Sequence, residues 1–207
     1  VAYVKGEPLY MSARRREDSR FLTGGGSFVA NSNLDQQAYA KVVRSPHGHA
    51  YIKSINIEEA IKLDGVVAVL TGADLETDLI GPLPCTTQFP ATLPIVSTKR
   101  LALAVGRVRH VGDPVVFVVA ESNDIACAAV ELIQIEYDPI PPVVEVMDAL
   151  RPGSQSIWET APDNIAYRFA KGEKEEVRKA ITDAHYVAEL EIKNNRVMAA
   201  PLEPRAG

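Results

Sequence analysis

Residues 114–137 read PVVFVVAESNDIACAAVELIQIEY, and this stretch decides the fold class of the chain. Its first seven residues are apolar and mostly β-branched, which is typical of a strand that is buried on both faces. Ser122 is a favourable N-cap, and the apolar residues after it recur at helical spacing, so residues 123–133 predict a helix. Residues 134–137 then predict a second strand. A strand–helix–strand unit of this kind indicates a mixed α/β domain.

The segments before this unit add further strands. Residues 38–45 and 50–57 predict two strands that pair as an antiparallel hairpin. Residues 58–63 predict a short helix ended by an Asp-Gly pair, and the apolar residues 66–70 predict a strand with both faces covered. The fold class predicted from the sequence is therefore α/β, or α+β with a mixed sheet.

The remaining segments suggest four parts. Residues 1–37 contain glycines and asparagines, which favour turns. Proline is frequent in residues 141–163, which is typical of a linker between domains. The parts are an N-terminal arm (1–37), an α/β domain (38–140), a linker (141–163) and the incomplete beginning of a second domain (164–207).

Three segments carry more specific predictions. The Pro-rich connection 76–98 is long enough to indicate a functional or interface loop. Residues 173–184 predict an amphipathic helix whose acidic residues come first, as the helix dipole favours. Residues 186–192 and 197–202 predict two antiparallel strands joined by a turn.

Composition and charge exclude several classes of protein. The 207 residues are 46% hydrophobic and 24% charged, as in ordinary globular domains, and the net charge of -5 argues against a nucleic-acid partner. Arg14-Arg15-Arg16 is followed by two acidic residues, which favours ion pairing or an interface. No apolar run reaches the roughly 18 residues that a membrane span needs. The two cysteines are too few for a disulfide scaffold, so a reducing cytoplasm is the expected compartment, with the periplasm as the alternative if a partner carries an export signal.

Gly24-Gly25-Gly26 is a candidate phosphate-binding loop, but no lysine and Ser/Thr pair opens a helix after the glycines. The pattern favours a turn that needs positive φ. The alternative is a close approach of the backbone to a cofactor held by another segment.

The histidines offer one candidate metal site. His47 and His49, two positions apart, could share one face of a strand and chelate a metal. No third ligand is near, so a turn with hydrogen-bonded histidines is favoured and no metal ligand is assigned. His110 and His185 are interpreted as structural.

Glu203 is the candidate site residue. It stands between Leu202 and Pro204 in an otherwise apolar run, so its carboxylate needs a partner, and Arg205 or Arg196 could supply one. Such an ion pair would hold the strand in place. Alternatively, Glu203 lines a substrate pocket, where burial would raise its pKa.

Taken in order along the chain, these residues resemble the molybdenum-binding large subunit of the xanthine oxidase family. That family includes aldehyde oxidoreductases and aerobic carbon monoxide dehydrogenases. The matching series is Arg16-Glu17-Asp18, Arg20-Phe21-Leu22-Thr23-Gly24, Gly26, Phe28, Ala40, Val43-Arg44-Ser45-Pro46-His47, His49-Ala50, Gly65-Val66, Val69-Leu70-Thr71-Gly72, Asp74, Val111-Gly112-Asp113-Pro114, Val118-Val119-Ala120-Glu121, Ala126, Ala129, Tyr137, Pro139, Pro141, Pro142, Asn195, Arg196 and Leu202-Glu203-Pro204-Arg205.

The resemblance implies an α/β hammerhead domain up to about residue 140 and the start of the first molybdopterin-binding domain from about residue 160. Members of the family oxidise an aldehyde, an N-heterocycle or CO with oxygen taken from water. They do so at a molybdenum–molybdopterin centre, expected in its cytosine dinucleotide form. Electrons leave through [2Fe–2S] clusters and FAD on partner subunits or domains, and the enzymes are generally dimers of heteromers.

The family's downstream pterin-binding segments and its late catalytic glutamate do not occur in these 207 residues. The expectation is a split subunit or a cut-down piece that is inactive alone, binds no cofactor by itself and places Glu203 near the substrate pocket of the complete assembly. The alternative is a non-catalytic hammerhead-type scaffold or subunit-docking module. A weaker alternative is an unrelated α/β binding protein with a ligand beneath the loop 76–98.

Overall fold

The computed structural model describes residues 15–84, 95–194 and Val197. These residues group into two compact units, one comprising residues 36–189 and the other the described parts of residues 1–35 and 190–207. The helices and strands are α1 (Asp18–Leu22), β1 (Tyr39–Arg44), β2 (Ala50–Asn56), α2 (Glu58–Lys62), β3 (Val66–Thr71), α3 (Gly72–Thr77), β4 (Arg107–Val108), β5 (Pro114–Ala120), α4 (Asn123–Leu132), β6 (Gln134–Pro139), α5 (Val146–Ala149) and α6 (Lys174–Thr182).

Two small antiparallel sheets form the framework of the larger unit. The first has the order β1-β5-β3 and the second the order β4-β2-β6. In the first sheet Val43 lies opposite Val116, and in the second Ile55 lies opposite Ile135. The mixed α/β fold class predicted from the sequence is confirmed, and every pairing within the described residues is antiparallel.

The strand β5 is the centre of the core. It hydrogen-bonds to β1 on one side and to β3 on the other, and four of its side chains have no exposed surface. They are Val115, Val116, Val118 and Ala120. The prediction of a buried strand is therefore confirmed. One hydrophobic cluster joins the three valines to Ala50 and Val108 of the second sheet, so both sheets share a core.

The helix α4 covers the first sheet as its sequence predicts. The Oγ of Ser122 accepts a hydrogen bond from the backbone N–H of Ile125 at 3.2 Å, which satisfies one of the free donors at the helix start. Ala126 and Ala129 are fully buried on the inner face. Their small side chains let the helix axis approach the strands closely.

The predicted hairpin of residues 38–57 is wrong, because β1 and β2 belong to different sheets. The turn between them is held at both ends. The backbone N–H of Ser45 donates to the carbonyl of Asp113 at 2.9 Å, just before β5. The carbonyl of His49 accepts from the N–H of Ile140 at 2.8 Å, just after β6. Residues 45–49 therefore carry the chain from one sheet to the other.

The prediction that β3 is covered on both faces is also wrong. This strand lies at the edge of its sheet, where Val69 is 8% exposed but Val67 is 63% exposed. Val67 lies at a register shift between Val66 and Ala68, and its side chain is left largely uncovered. Apolar composition alone cannot separate an edge strand from a central one, because that difference depends on the order of the strands.

Several short elements depart from the sequence-based prediction. The helices α1, α3 and α5 and the strand β4 were not predicted, while α6 falls within the predicted helix 173–184. Residues 186–192 form no strand. Of their predicted partner strand, residues 197–202, the structure describes only Val197. Residues 85–94 of the long connection also lie outside the described residues. A strand requires a hydrogen-bonded neighbour, and an apolar pattern alone does not supply one.

Replacing Val116 by alanine should lower the free energy of unfolding by about 2–3 kcal/mol, because buried methyl groups are lost and a cavity remains in the central strand. The matched control is Val67→Ala at the exposed position of β3, which should change the free energy by no more than about 0.5 kcal/mol. Urea unfolding followed by circular dichroism measures both. Equal destabilisation by the two variants would contradict the central role of β5.

Candidate functional site

A buried guanidinium joins three segments of the larger unit. Arg107 lies in β4 and is 6% exposed. Its Nε donates to the Nε2 of His49 at 2.6 Å, and its Nη2 donates to the carbonyl of Ser156 at 2.6 Å. Its Nη1 lies 3.5 Å from the carboxylate of Glu159. Arg107 therefore ties the turn 45–49 to residues 155–161, which we call the 155–161 loop.

The hydrogen bond from Arg107 fixes the charge of His49. Because Nε2 accepts, the ring is neutral and carries its proton on Nδ1. Burial lowers the pKa of His49, and the positive charges of Arg107 and Arg109 act in the same direction. The backbone carbonyl of Pro141 faces the ring and opposes this shift, although within the described residues Nδ1 forms no hydrogen bond of good geometry.

A second arginine holds the same loop. The Nε of Arg109 donates to the carbonyl of Ile157 at 3.1 Å, and its guanidinium lies 4.0 Å from the centroid of the Trp158 ring. This is the geometry of a cation–π interaction. The backbone N–H of Arg109 donates to a carboxylate oxygen of Asp113 at 2.9 Å. Burial lowers the pKa of Arg109, but a guanidinium remains charged in proteins.

The 155–161 loop is also shaped by its own hydrogen bonds. The hydroxyl of Ser156 donates to the carbonyl of Trp158 at 2.7 Å. The side-chain oxygen of Asn164 accepts from the N–H of Ile157 at 2.9 Å, and its amide donates to the carbonyl of Gln155 at 3.0 Å. Asn164 has φ of 58°, a left-handed conformation that asparagine tolerates better than most residues. The loop thus presents ordered carbonyl groups to the two arginines.

The segment 45–49 is a turn, as predicted, and its histidines have separate roles. The backbone N–H of His47 donates to the Oγ of Ser45 at 3.0 Å, and the His47 ring packs edge-on against Tyr137 at 4.9 Å. Burial raises the pKa of Tyr137, while the hydroxyl of Ser45 opposes the shift. The Nε2 of His49 is occupied by Arg107, so the two imidazoles do not form a chelating pair. The described residues contain no cluster of three or more potential metal ligands.

The glycine run of the smaller unit ends the helix α1 in a turn of the predicted kind. Gly24 has φ of +75°, and the N–H of Gly25 donates to the carbonyl of Arg20 at 2.8 Å. A Cβ at Gly26 would lie 3.0 Å from the ring of Phe21 and 3.1 Å from that of Phe28. The two rings stack with centroids 5.8 Å apart, so a side chain at Gly26 would displace them by a few tenths of an ångström.

The other predicted site residues fall into two groups. The imidazole of His110 lies 3.6 Å from the carboxylate of Asp113, which agrees with a structural role, and His185 is exposed. Glu203 lies outside the described residues together with both of its candidate partners, Arg196 and Arg205. Its role therefore stays a prediction.

Sequence reasoning missed the arginines that organise this cluster. Arg107 and Arg109 flank Val108, and two cations at i and i+2 would share one face of a strand. This i, i+2 spacing was the feature of the sequence that could have identified the two arginines as a pair. Trp158, the single tryptophan of the sequence, fell in a segment interpreted as a linker. The contacts that join these residues to their partners span 48 or more positions, beyond the reach of local patterns.

The sequence and the fold of the chain are similar to those of several known enzymes. A family profile described as "Aldehyde oxidase and xanthine dehydrogenase, a/b hammerhead domain" matches residues 23–141. The carbon monoxide dehydrogenase large chain of Afipia carboxidovorans is 32% identical over 202 residues, covering 92% of this chain and 24% of that protein. The nicotine 6-hydroxylase large subunit of Paenarthrobacter nicotinovorans is 36% identical over 191 residues, covering 92% and 23%.

Solved structures agree with these relatives. A crystal structure of Cu,Mo-CO dehydrogenase matches with a TM-score of 0.66 and 30% identity, over 84% of this chain and 22% of that one. Quinoline 2-oxidoreductase from Pseudomonas putida 86 matches with a TM-score of 0.58 and 38% identity, over 70% and 18%. The chain therefore belongs to the aldehyde oxidase and xanthine dehydrogenase family, and it carries that family's α/β hammerhead domain. It spans about a quarter of the length of these curated relatives.

The described residues do not fit a molybdenum–pterin group. The buried Arg107 and the half-buried Arg109, which could bind a phosphate or a pterin, already donate to His49 and to carbonyls of the 155–161 loop. This part of the chain offers a positioning framework in which the polar groups hold one segment against another.

None of the helices in the described ranges has the length and apolar character to cross a bilayer.

Replacing Arg107 by alanine should lower the free energy of unfolding by about 3 kcal/mol, because it leaves buried acceptors on His49 and Ser156 without their donor. Arg151→Ala is the matched control. Arg151 forms an exposed ion pair with Asp148 at 3.0 Å, and its loss should cost less than about 1 kcal/mol. Urea unfolding of both variants makes the comparison, and a similar loss in the two would show that the buried cluster adds no stability.

Proposed function

We propose that this chain is part of the molybdenum-binding large subunit of a hydroxylase or dehydrogenase, present as a split subunit or as a piece of a longer polypeptide. The complete enzyme oxidises an aldehyde, an N-heterocycle or CO with oxygen taken from water. The chain is inactive by itself. Its hammerhead domain is the framework to which the catalytic polypeptide and the electron-transfer subunits attach.

One observation carries this proposal. The family profile ends at residue 141, yet the alignments with two large subunits cover 92% of the chain and so continue well past that residue. A hammerhead module serving only as a scaffold has no need of that following segment. The continuation favours a catalytic large subunit over the alternative of a non-catalytic docking module.

The cofactors and partners of the assembly follow from the same proposal. Molybdenum bound to molybdopterin, in its cytosine dinucleotide form, supplies the oxidation chemistry, and [2Fe–2S] clusters and FAD on partner subunits remove the electrons. The described residues of this chain contribute position rather than ligands, because their buried donors are engaged internally. The cytoplasm is the proposed compartment, and a dimer of heteromers is the proposed assembly.

Affinity purification of the tagged chain from its native host tests the proposal. We expect larger chains to co-purify in fixed ratio, with molybdenum and iron stoichiometric to the chain by plasma mass spectrometry. Denaturing intact-mass spectrometry on the same sample shows whether the chain itself is 22.5 kDa or longer. Fixed-ratio partners without molybdenum would favour the docking module, and the chain alone without metal would contradict the proposal.

Glu203 is proposed to line the substrate pocket of that assembly. Replacing it with glutamine should reduce kcat/KM by roughly 10–100-fold, the loss expected for one hydrogen bond to a charged group. Glu189→Gln, at an exposed position, is the matched control and should leave turnover unchanged. Steady-state kinetics with an aldehyde, an N-heterocycle and CO give the comparison. Unchanged kcat/KM with normal molybdenum content in the Glu203 variant would contradict the assignment.

A further inference from the structure

The contact between Arg107 and His49 depends on the charge state of one buried ring. His49 is 2% exposed, and its Nε2 is the acceptor for Arg107 at 2.6 Å. A protonated imidazole has two N–H donors and no acceptor. Protonation therefore removes this hydrogen bond and places two cations within contact distance in a buried site.

The surroundings give this second positive charge little compensation. Arg107 and Arg109 of β4 both act on the ring as positive charges, and the Pro141 carbonyl is the group that favours protonation. The nearest carboxylate to Arg107 is that of Glu159, whose side chain is 84% exposed and therefore well screened by water. Asp113 accepts from the backbone of Arg109 and lies 3.6 Å from His110, so its charge is already shared.

Movement of Arg107 would free the 155–161 loop. The same guanidinium that donates to His49 also donates to the carbonyl of Ser156 and pairs with Glu159. Its three contacts share one rigid plane, so a displacement that relieves repulsion from His49 also disturbs the contacts with the loop. The neighbouring contact of Arg109 with Trp158 depends on the same loop position.

We propose that the Arg107–His49 pair is an acid-sensitive latch that holds the 155–161 loop at neutral pH and releases it when His49 takes up a proton. The latch joins the hammerhead domain to the segment that follows it. Release therefore loosens the attachment between these two parts while the two sheets stay folded. This inference rests on the contacts within residues 36–189 and does not depend on the proposed enzyme activity.

The direction of the pH effect follows from the lowered pKa of His49. A histidine free in the unfolded chain titrates near pH 6.5. Because the folded state holds the ring neutral, the contribution of the closed latch is complete above that pH. It is lost progressively as the pH falls from 6.5 towards and through the lower folded pKa.

Trp158 provides the readout, since it is the only tryptophan of the sequence and its ring stacks beneath Arg109. The experiment follows tryptophan emission and acrylamide quenching of the purified chain from about pH 8 to about pH 5, the range in which histidines titrate. We expect a shift of emission to longer wavelength and increased quenching, with a midpoint below 6.5. Far-UV circular dichroism recorded on the same samples should stay constant over this transition.

Three variants assign the transition to one group. His49→Gln keeps a side-chain acceptor that cannot be protonated, so the transition should disappear. His110→Gln and Glu159→Gln change two other titratable groups near the latch, and both should keep the transition. An NMR titration of the His49 ring in the unmodified chain should give the same midpoint as the fluorescence. If His49→Gln does not fold, this agreement of midpoints is the test that assigns the transition to His49.

Each contrary result overturns the latch. A flat fluorescence profile over a pH range in which the NMR titration shows His49 to be protonated would show that the loop stays attached whatever the charge of His49. A transition that persists in His49→Gln, or disappears in Glu159→Gln, would assign it to a group other than His49. Loss of the circular dichroism signal at the same midpoint would indicate unfolding of the domain, and a different midpoint in the NMR titration would separate His49 from the loop.

Discussion

The structure depends first on the burial of β5 between two other strands. Four of its side chains are fully enclosed, and its backbone pairs with β1 and β3, so its position fixes the order of the first sheet. Unpaired backbone groups at this depth would be costly, which makes both neighbouring strands obligatory. The helix α4 approaches the sheet through two alanines, and the core continues into the second sheet through Ala50 and Val108.

A second constraint acts where the two sheets meet. The turn 45–49 is tied to the start of β5 at one end and to the end of β6 at the other. His49 leaves this turn as a buried acceptor, and Arg107 uses it while holding the 155–161 loop with its remaining donors. A buried charge is stable only when its donors are satisfied, so the fold of the hammerhead domain and the placement of the following segment are coupled.

The coupling between the hammerhead domain and the segment that follows it agrees with the proposed role in a larger enzyme. The described residues build a framework in which the buried polar groups bind one another, and the chain spans about a quarter of its curated relatives. The helix α6 exposes the apolar residues Val177 and Ile181 by more than half. An amphipathic helix of this kind normally gains most of its stability by packing its apolar face.

The sequence by itself determined the fold class, the strand β5, the helix α4 and the family, because these follow from local periodicity, capping and an ordered series of motifs. The tertiary structure alone decided that β1 and β2 part into different sheets and that β3 lies at an edge, since strand order is set by which surfaces meet across the whole chain. It alone also brought together Arg107 and His49, which lie 58 positions apart, with the 155–161 loop. Local pattern can show that a residue is polar or apolar, but the partner of a buried charge is fixed only when distant segments pack.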